Sequence, residues 1–592
     1  MTRFADRGLC GGRWLRGGCI ALVLAAACQG DDEPDATGGS SSTAAGDEAV
    51  DPTTGAPDPE GSSGDTAADV DTGSSDGTVD TSGSTTGSAA CGTPRECADA
   101  AEANAAAALE AVRDDPDALL EFLVGMPLGG DLHHHLSGSV YAETFLAWAE
   151  ADGGYCIQQS NTALSTSCGD GNDVPVPTGR RDFYLEVVRA WSMFQFVPTP
   201  MESGADHFFA TFSKFGAISG TQHGRMLADV RRRASLENVS YIEPMLTSNS
   251  TARSLGEDEW QLLGGGAMSA EDYPLLHAAL LASPGFPAAR ARLVDDAENS
   301  EQIANAEQDC ASDRPDAGCE VVTRYQAYIS RSGSDSGIFG QMVAAYEAAI
   351  VEPRIVGLNL VGPEDGSAAM ANYDRLMAML EYLNEDYAGV SPLRLSLHAG
   401  EITAESIPGG YELDEEQHIR KALQVAGARR IGHGVDVMHE GNAQELLDEL
   451  RDEDVLVEIC FASNDIILEL SGEEHPVHDY LAAGVPVSVA TDDQGVARSS
   501  MAAEFVRGVA DQGLTYLELK LMVRASLQYA FLEGDGLWTA PGVVADVCAP
   551  AEGDTPVTAR PSAACTTFLA ENPRAAIQRD LEARFEAFEA EF

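Results

Sequence analysis

Eight short candidate strands, most of them separated by longer stretches of helical periodicity, constrain this chain more than any other feature. They are Gly130–His135, Val239–Leu246, Val321–Arg331, Ile355–Val361, Leu393–His398, Arg429–His433, Val455–Cys460 and Pro486–Thr491. Helical spacing marks the intervening Ala368–Asn384, Glu415–Ala426 and Ala443–Arg451. Repeated strand-then-helix order predicts parallel strands, and eight of them predict an α/β fold, a (β/α)8 TIM-type barrel. Two stretches, Gly153–Arg180 and Ser250–Cys319, read as insertions, each with a cysteine pair. The folded part, residues 91–592, opens with a helical segment near Cys97 to Leu123. It closes with a region from about Leu537 that carries a last cysteine pair and a helix ending at Phe592.

Residues 1–27 have the shape of an export signal. Arg3, Arg7, Arg13 and Arg16 precede the apolar Cys19–Ala27, which is too short for the about 20 residues a membrane-spanning helix needs. Ala25, Ala26 and Ala27 lead into Cys28, and this resembles the bacterial lipoprotein cleavage box. The resemblance implies cleavage before Cys28, acylation of its thiol, and an exported protein held by lipid on the periplasmic or surface face of the cell envelope. An ordinary signal peptide with an incidental cysteine is the alternative. Residues 28–90 are rich in Ser, Thr, Gly and Asp with almost no large apolar side chain, the composition of a disordered spacer.

Cysteine usage agrees with export. Cys91/Cys97, Cys156/Cys168, Cys310/Cys319 and Cys548/Cys565 form four close pairs, suited to local disulfides in an oxidising compartment, although spacing does not fix connectivity. Cys460 is left over inside an apolar run and is expected to be a buried thiol. The formal net charge of -59, with lysines only at Lys214, Lys421 and Lys520, argues against nucleic acid as a partner.

The informative histidines and carboxylates all fall at predicted strand ends. In Asp131-Leu132-His133-His134-His135, strand alternation puts His133 and His135 on one face and His134 on the other. Leu397-His398-Ala399-Gly400-Glu401 ends the fifth run, Arg430-Ile431-Gly432-His433-Gly434 the sixth, and Val489-Ala490-Thr491-Asp492-Asp493 the eighth. Barrel enzymes assemble their sites at these C-terminal ends.

His-x-His, His-Ala-Gly-Glu, Gly-His-Gly and Thr-Asp-Asp, in this order, resemble the adenosine deaminase family of the metal-dependent amidohydrolases. The resemblance runs from about Leu119 to the C-terminus outside the two insertions, and in style it is to the secreted, growth-factor-related branch. It implies one Zn2+ on His133, His135, His398 and Asp492, with an open position for water. It also implies that Glu401 donates a proton to purine N1, that His433 orients the attacking hydroxide, and that Asp493 bonds N7. Gly362, in Leu360-Val361-Gly362-Pro363-Glu364, is similar to the glycine whose backbone approaches N3, or is a plain turn.

The sequence departs from the family pattern at two positions. Ser137 stands where an aspartate contacts the ribose 5′-hydroxyl, and Phe461 stands where proline is usual. Glu458 fits either a structural or a pocket role. The implied activity is deamination of adenosine and 2′-deoxyadenosine, with a purine nucleoside as small-molecule partner. Alternatives are deamination of free or N6-substituted adenine, and a non-catalytic purine-binding lipoprotein. A two-metal hydrolase bridged by a carboxylated lysine is disfavoured, because no lysine lies between Lys214 and Lys421.

Overall fold

Eight parallel strands pair in chain order: Gly129–His135, Val239–Met245, Tyr325–Ser330, Ile355–Val361, Arg394–Ala399, Arg430–His433, Leu456–Ile459 and Val487–Val489. We call them the first to eighth barrel strands. The computed structural model describes residues 91–592 apart from Asp170. The expected signal segment, Cys28 and the spacer lie outside the described residues. Just beyond the eighth strand the sheet returns to its start: Asp492 N donates to His133 O at 2.9 Å and His135 N donates to Asp492 O at 3.0 Å. The barrel therefore closes at the residues singled out for chemistry. Among the described residues no helix is long and apolar enough to cross a membrane.

The third run is less regular than expected. It forms two pieces, Val322–Thr323 against the second strand and Tyr325–Ser330 against the fourth, broken at Arg324. That guanidinium turns outward to Glu533, with Nε 3.0 Å from Oε2, so the residue cannot continue a strand buried on both faces. The expected helix Glu415–Ala426 is likewise two short helices, Leu413–Glu416 and His418–Gln424. They are split at Gln417, whose φ of 52° is left-handed. The segment Cys97–Leu123 is also two helices. Thr93 and Glu96 cap the first in a reciprocal box ahead of Pro94, and Asp115 and Pro116 restart the chain as the second. The last helix, Pro573–Glu589, ends before Phe592.

Both insertions are ordered. The first is a small antiparallel sheet of two-residue strands joined by Cys156–Cys168. The second is built on helices Ser250–Leu262, Tyr273–Ala282 and Phe286–Glu307 and ends in Cys310–Cys319. Cys91–Cys97 and Cys548–Cys565 complete the four neighbour pairs, and Cys460 is free and buried.

Inside the barrel a fully buried ion cluster ties three strands together. Arg430 lies 2.5 Å from Glu243 Oε2 and 2.6 Å from Glu458 Oε1, and its guanidinium sits 3.7 Å from the Phe531 ring centroid. Removing Arg430 would leave two buried carboxylates without their shared cation, a loss of about 3–5 kcal/mol.

Candidate active site

At the ends of the first, fifth and eighth strands, His133, His398 and Asp492 gather in one group with His433, and His135 joins Asp492 and Asp493 in an adjoining one. His133 Nε2 lies 3.0 Å from His398 Nε2, and His135 Nε2 lies 3.2 Å from His398 Nε2. Asp492 Oδ1 is 3.1 Å from His135 Nε2 and 3.7 Å from His133 Nε2. Ligands about 2.0–2.1 Å from a tetrahedral ion stand about 3.3 Å apart, so this spacing fits a divalent cation. As strand alternation requires, His134 points the other way, with Nδ1 2.9 Å from Thr491 Oγ1.

The second layer decides which ring nitrogens face inward. His133 Nδ1 donates to Glu458 Oε2 at 2.9 Å, and His398 Nδ1 donates to Asn359 Oδ1 at 2.7 Å. Both Nε2 lone pairs therefore converge on each other, an arrangement that a cation between them relieves. Burial, together with neighbouring imidazoles, pushes His398 well below the usual histidine range, so it is neutral and free to ligate. Burial opposes ionisation of Asp492, but His135, His433 and His133 outweigh it and hold that carboxyl well below the usual range. Glu458 is thus structural, while Asn359 carries no motif signal. A buried amide in a strand looks like any other until the residue across from it is known.

His433 crowds the same point: one of its nitrogens, with atoms of His133, His398 and Asp492, falls in a set mutually within 4.8 Å. A hydrogen-bond relay makes it a donor there. Val477 N donates to His475 Nδ1 at 3.2 Å, so His475 Nε2 donates to Asn464 Oδ1, also at 3.2 Å. The Asn464 amide then presents its NH2 to His433 Nδ1 at 3.0 Å. His433 is left with its proton on Nε2, facing Glu401 Oε1 at 3.6 Å. Burial and the neighbouring His133 push His433 down to about 3, keeping the ring neutral. Gly432 makes room for this packing, since a Cβ there would lie 2.6 Å from His133 Cε1. His433 and Asp492 both adopt left-handed φ, 65° and 54°, strain of the kind that collects at functional sites.

Glu401 is held from its backbone. Gly400 N and Glu401 N donate to the two oxygens of Glu364 at 3.0 and 3.1 Å, and His418 Nδ1 anchors Glu364 at 2.5 Å. Burial, then the charges of Asp492 and Glu364, raise the Glu401 carboxyl well above the usual carboxylate range, so it carries a proton. Asp493 is pushed up to about 8, chiefly by burial, and its Oδ1 has no partner among the described residues. Gly138 permits that position, because a Cβ there would overlap Asp493 Oδ1.

His135, His398, Glu401, Asp492 and Asp493 line a cavity of about 500 Å³ with Ser137, Gly362 and Tyr328. Phe208, Phe209, Phe212 and Phe215 of helix Gly204–Ser219 give it an aromatic wall, and no lysine or arginine lines it. Gly362 has a left-handed φ of 112°. Phe461 opens helix Phe461–Leu468 and packs on His475, with ring centroids 5.0 Å apart, rather than lining the cavity.

Fold and site together define a (β/α)8 barrel with a buried histidine–aspartate group at the C-terminal rim that could hold a metal ion. The model of the family described as adenosine deaminase matches residues 275–538, starting inside the second insertion. It is similar to an adenine deaminase of Rhizobium leguminosarum bv. trifolii (strain WSM2304), 28% identical over 243 residues that cover 37% of this chain and 68% of that protein. It is also similar to an adenine deaminase of Rhizobium meliloti (strain 1021), 29% identical over 208 residues, or 35% of this chain and 56% of that one. Among solved structures, the adenine deaminase of Arthrobacter aurescens aligns with 18% identity and a TM-score of 0.42, over 69% of this chain and 94% of that one.

Proposed function

We propose that this chain is a zinc-dependent hydrolase that removes the 6-amino group of adenosine and 2′-deoxyadenosine as ammonia, giving inosine and its 2′-deoxy analogue. The observation that carries this reading is the placement of Glu401 Oε1 3.6 Å from His433 Nε2 beside the histidine–aspartate cluster, with burial holding the Glu401 carboxyl well above the usual range. His133, His135, His398 and Asp492 would hold the ion. When bound it supplies Lewis acidity and a water that ionises near neutral pH.

The chain's own groups account for the rest. Glu401 delivers its proton to purine N1, making C6 electrophilic as water adds. Its carboxylate then takes one proton from the added oxygen and passes it to the departing ammonia, and the second proton of that oxygen restores the acid. His433, a donor by virtue of its relay, orients the attacking oxygen. Asp493 in its protonated form donates to N7. The acidic chain and the absence of lysine and arginine from the cavity wall argue against a phosphorylated substrate.

Export with acylation at Cys28 is part of the same proposal, supported by the four disulfides. The names of the Rhizobium relatives favour a second reading, deamination of free adenine. The test is the ultraviolet change on deamination, run in parallel with adenosine, 2′-deoxyadenosine, adenine and AMP. Turnover of adenosine well above adenine supports the first reading and the reverse supports the second. Turnover of none defeats both.

A further inference from the structure

Two hydroxyls on the cavity wall belong to none of the motifs above. Thr247 and Ser248 follow the second barrel strand and line the cavity. Each is aimed by a buried side chain reached through the tertiary fold. Ser248 Oγ lies 2.9 Å from Gln341 Oε1. Gln341 Nε2 is turned to the carbonyl of Gly337 at 3.5 Å, so Oε1 is the acceptor and Ser248 donates its proton to it. Thr247 Oγ1 lies 3.3 Å from Asp296 Oδ2, and Asp296 Oδ1 accepts from His223 Nδ1 at 2.5 Å. A carboxylate engaged in this way takes the Thr247 proton.

Both hydroxyls have thus committed their single proton to the protein interior and turn only lone pairs to the ligand. Gln341, Asp296 and His223 are themselves buried, so neither orientation is easily reversed. A pair of pure acceptors, with no lysine or arginine lining the cavity, attracts O–H or N–H donors and repels phosphate oxygens. The purine ring nitrogens N3 and N7 are acceptors too and gain nothing from this pair. The 6-amino group is the departing group that Glu401 serves on the far side of the ring system. The donors left to this pair on a nucleoside are therefore the hydroxyls of its sugar, and on a free base only N9–H.

We propose that Thr247 and Ser248 form the sugar-reading subsite of this cavity, with His223, Asp296 and Gln341 as positioning residues. The subsite supplies hydroxyl recognition where Ser137 stands in place of the family's aspartate, and it selects nucleoside over free base. This inference rests on the purine reading of the site given above.

The test measures binding apart from catalysis. Inosine and hypoxanthine, the nucleoside and base products, are titrated by calorimetry into the full-length zinc-loaded protein, Thr247→Val and Ser248→Ala. The ratio of inosine to hypoxanthine affinity is expected to fall about 3- to 10-fold in each variant, the size of one neutral hydrogen bond. An unchanged ratio in both variants overturns the subsite. So does a wild type that binds hypoxanthine as tightly as inosine, or an equal loss of both ligands in both variants, which would make the hydroxyls merely structural. Adenosine turnover by the wild type is followed separately. Its failure alongside a shifted binding ratio sinks the deaminase reading and leaves the subsite standing.

Discussion

Asn464 Nδ2 donates to His433 Nδ1 at 3.0 Å, and this bond decides which nitrogen of His433 carries a proton toward Glu401. Replacing Asn464 with Asp puts an acceptor on Nδ1, moves the imidazole proton there and turns an Nε2 lone pair into the site. Partners behind a site residue are worth about 10–100-fold. Asn464→Asp should lower kcat by that factor while zinc content holds. Unaltered kcat would remove the relay from the mechanism.

Glu401→Gln keeps the shape and an N–H toward N1 but cannot transfer a proton. General acid catalysis is worth about 10²–10⁴-fold, or ~3–5 kcal/mol at the transition state. Turnover should fall by at least about two decades with near-normal zinc and similar inosine affinity. Zinc must be measured in the same sample, since Glu401 is three residues from His398. Retained zinc with near wild-type turnover would show that Glu401 is not the donor.

What the sequence made legible is what depends on short range. Continuous apolar runs such as Ile355–Val361 form the strands expected, and histidines placed just after such runs meet because every parallel strand ends on the same rim. Residues whose meaning comes from a distant partner were not legible. Asn359 matters because His398 lies beside it, and Arg430 because Glu243 and Glu458 face it across the barrel interior. Thr247 is aimed by Asp296 and His223, from two different helices, a relation no local pattern encodes. The break at Arg324 escapes for a different reason. One charged side chain in an apolar run is compatible with a strand unless both faces are buried, and that is a property of the barrel.

The anchor reading rests on Cys28 after three alanines. Cys28→Ala should block acylation and move the protein out of the detergent-soluble membrane fraction. A wild-type protein already free in the medium, or a mature N-terminus elsewhere than Cys28, would count against it.

Metal analysis should find about one zinc per chain, and His398→Ala should lose most of it, because His398 Nε2 is the atom shared by both short imidazole contacts. Chelation should abolish turnover, and zinc should restore it. Two ions per chain, both required, would return the two-metal alternative.

The last prediction concerns stability against pH and a buried carboxyl outside the motifs. Glu504 is buried on helix Met501–Ala510, where its Oε2 accepts from Ala462 N at 2.9 Å and Oε1 pairs with the Ser499 hydroxyl. Burial raises its carboxyl to about 7 from 4.5. Asp131 adds to the rise, while Ser499, Ala462 and Arg507 oppose it. Between those values the folded chain keeps a proton that the unfolded chain has released, so unfolding free energy falls as pH rises. The contribution is fully present below about pH 4.5 and is lost as pH rises through about 7. At 1.36 kcal/mol per pKa unit it amounts to roughly 3 kcal/mol. Glu504→Gln has no proton to lose, so its Tm should decline less than the wild type's between about pH 5 and 8, with the curves converging toward the acid end. Parallel Tm profiles for the two proteins would mean that Glu504 is ionised throughout and that burial does not control it.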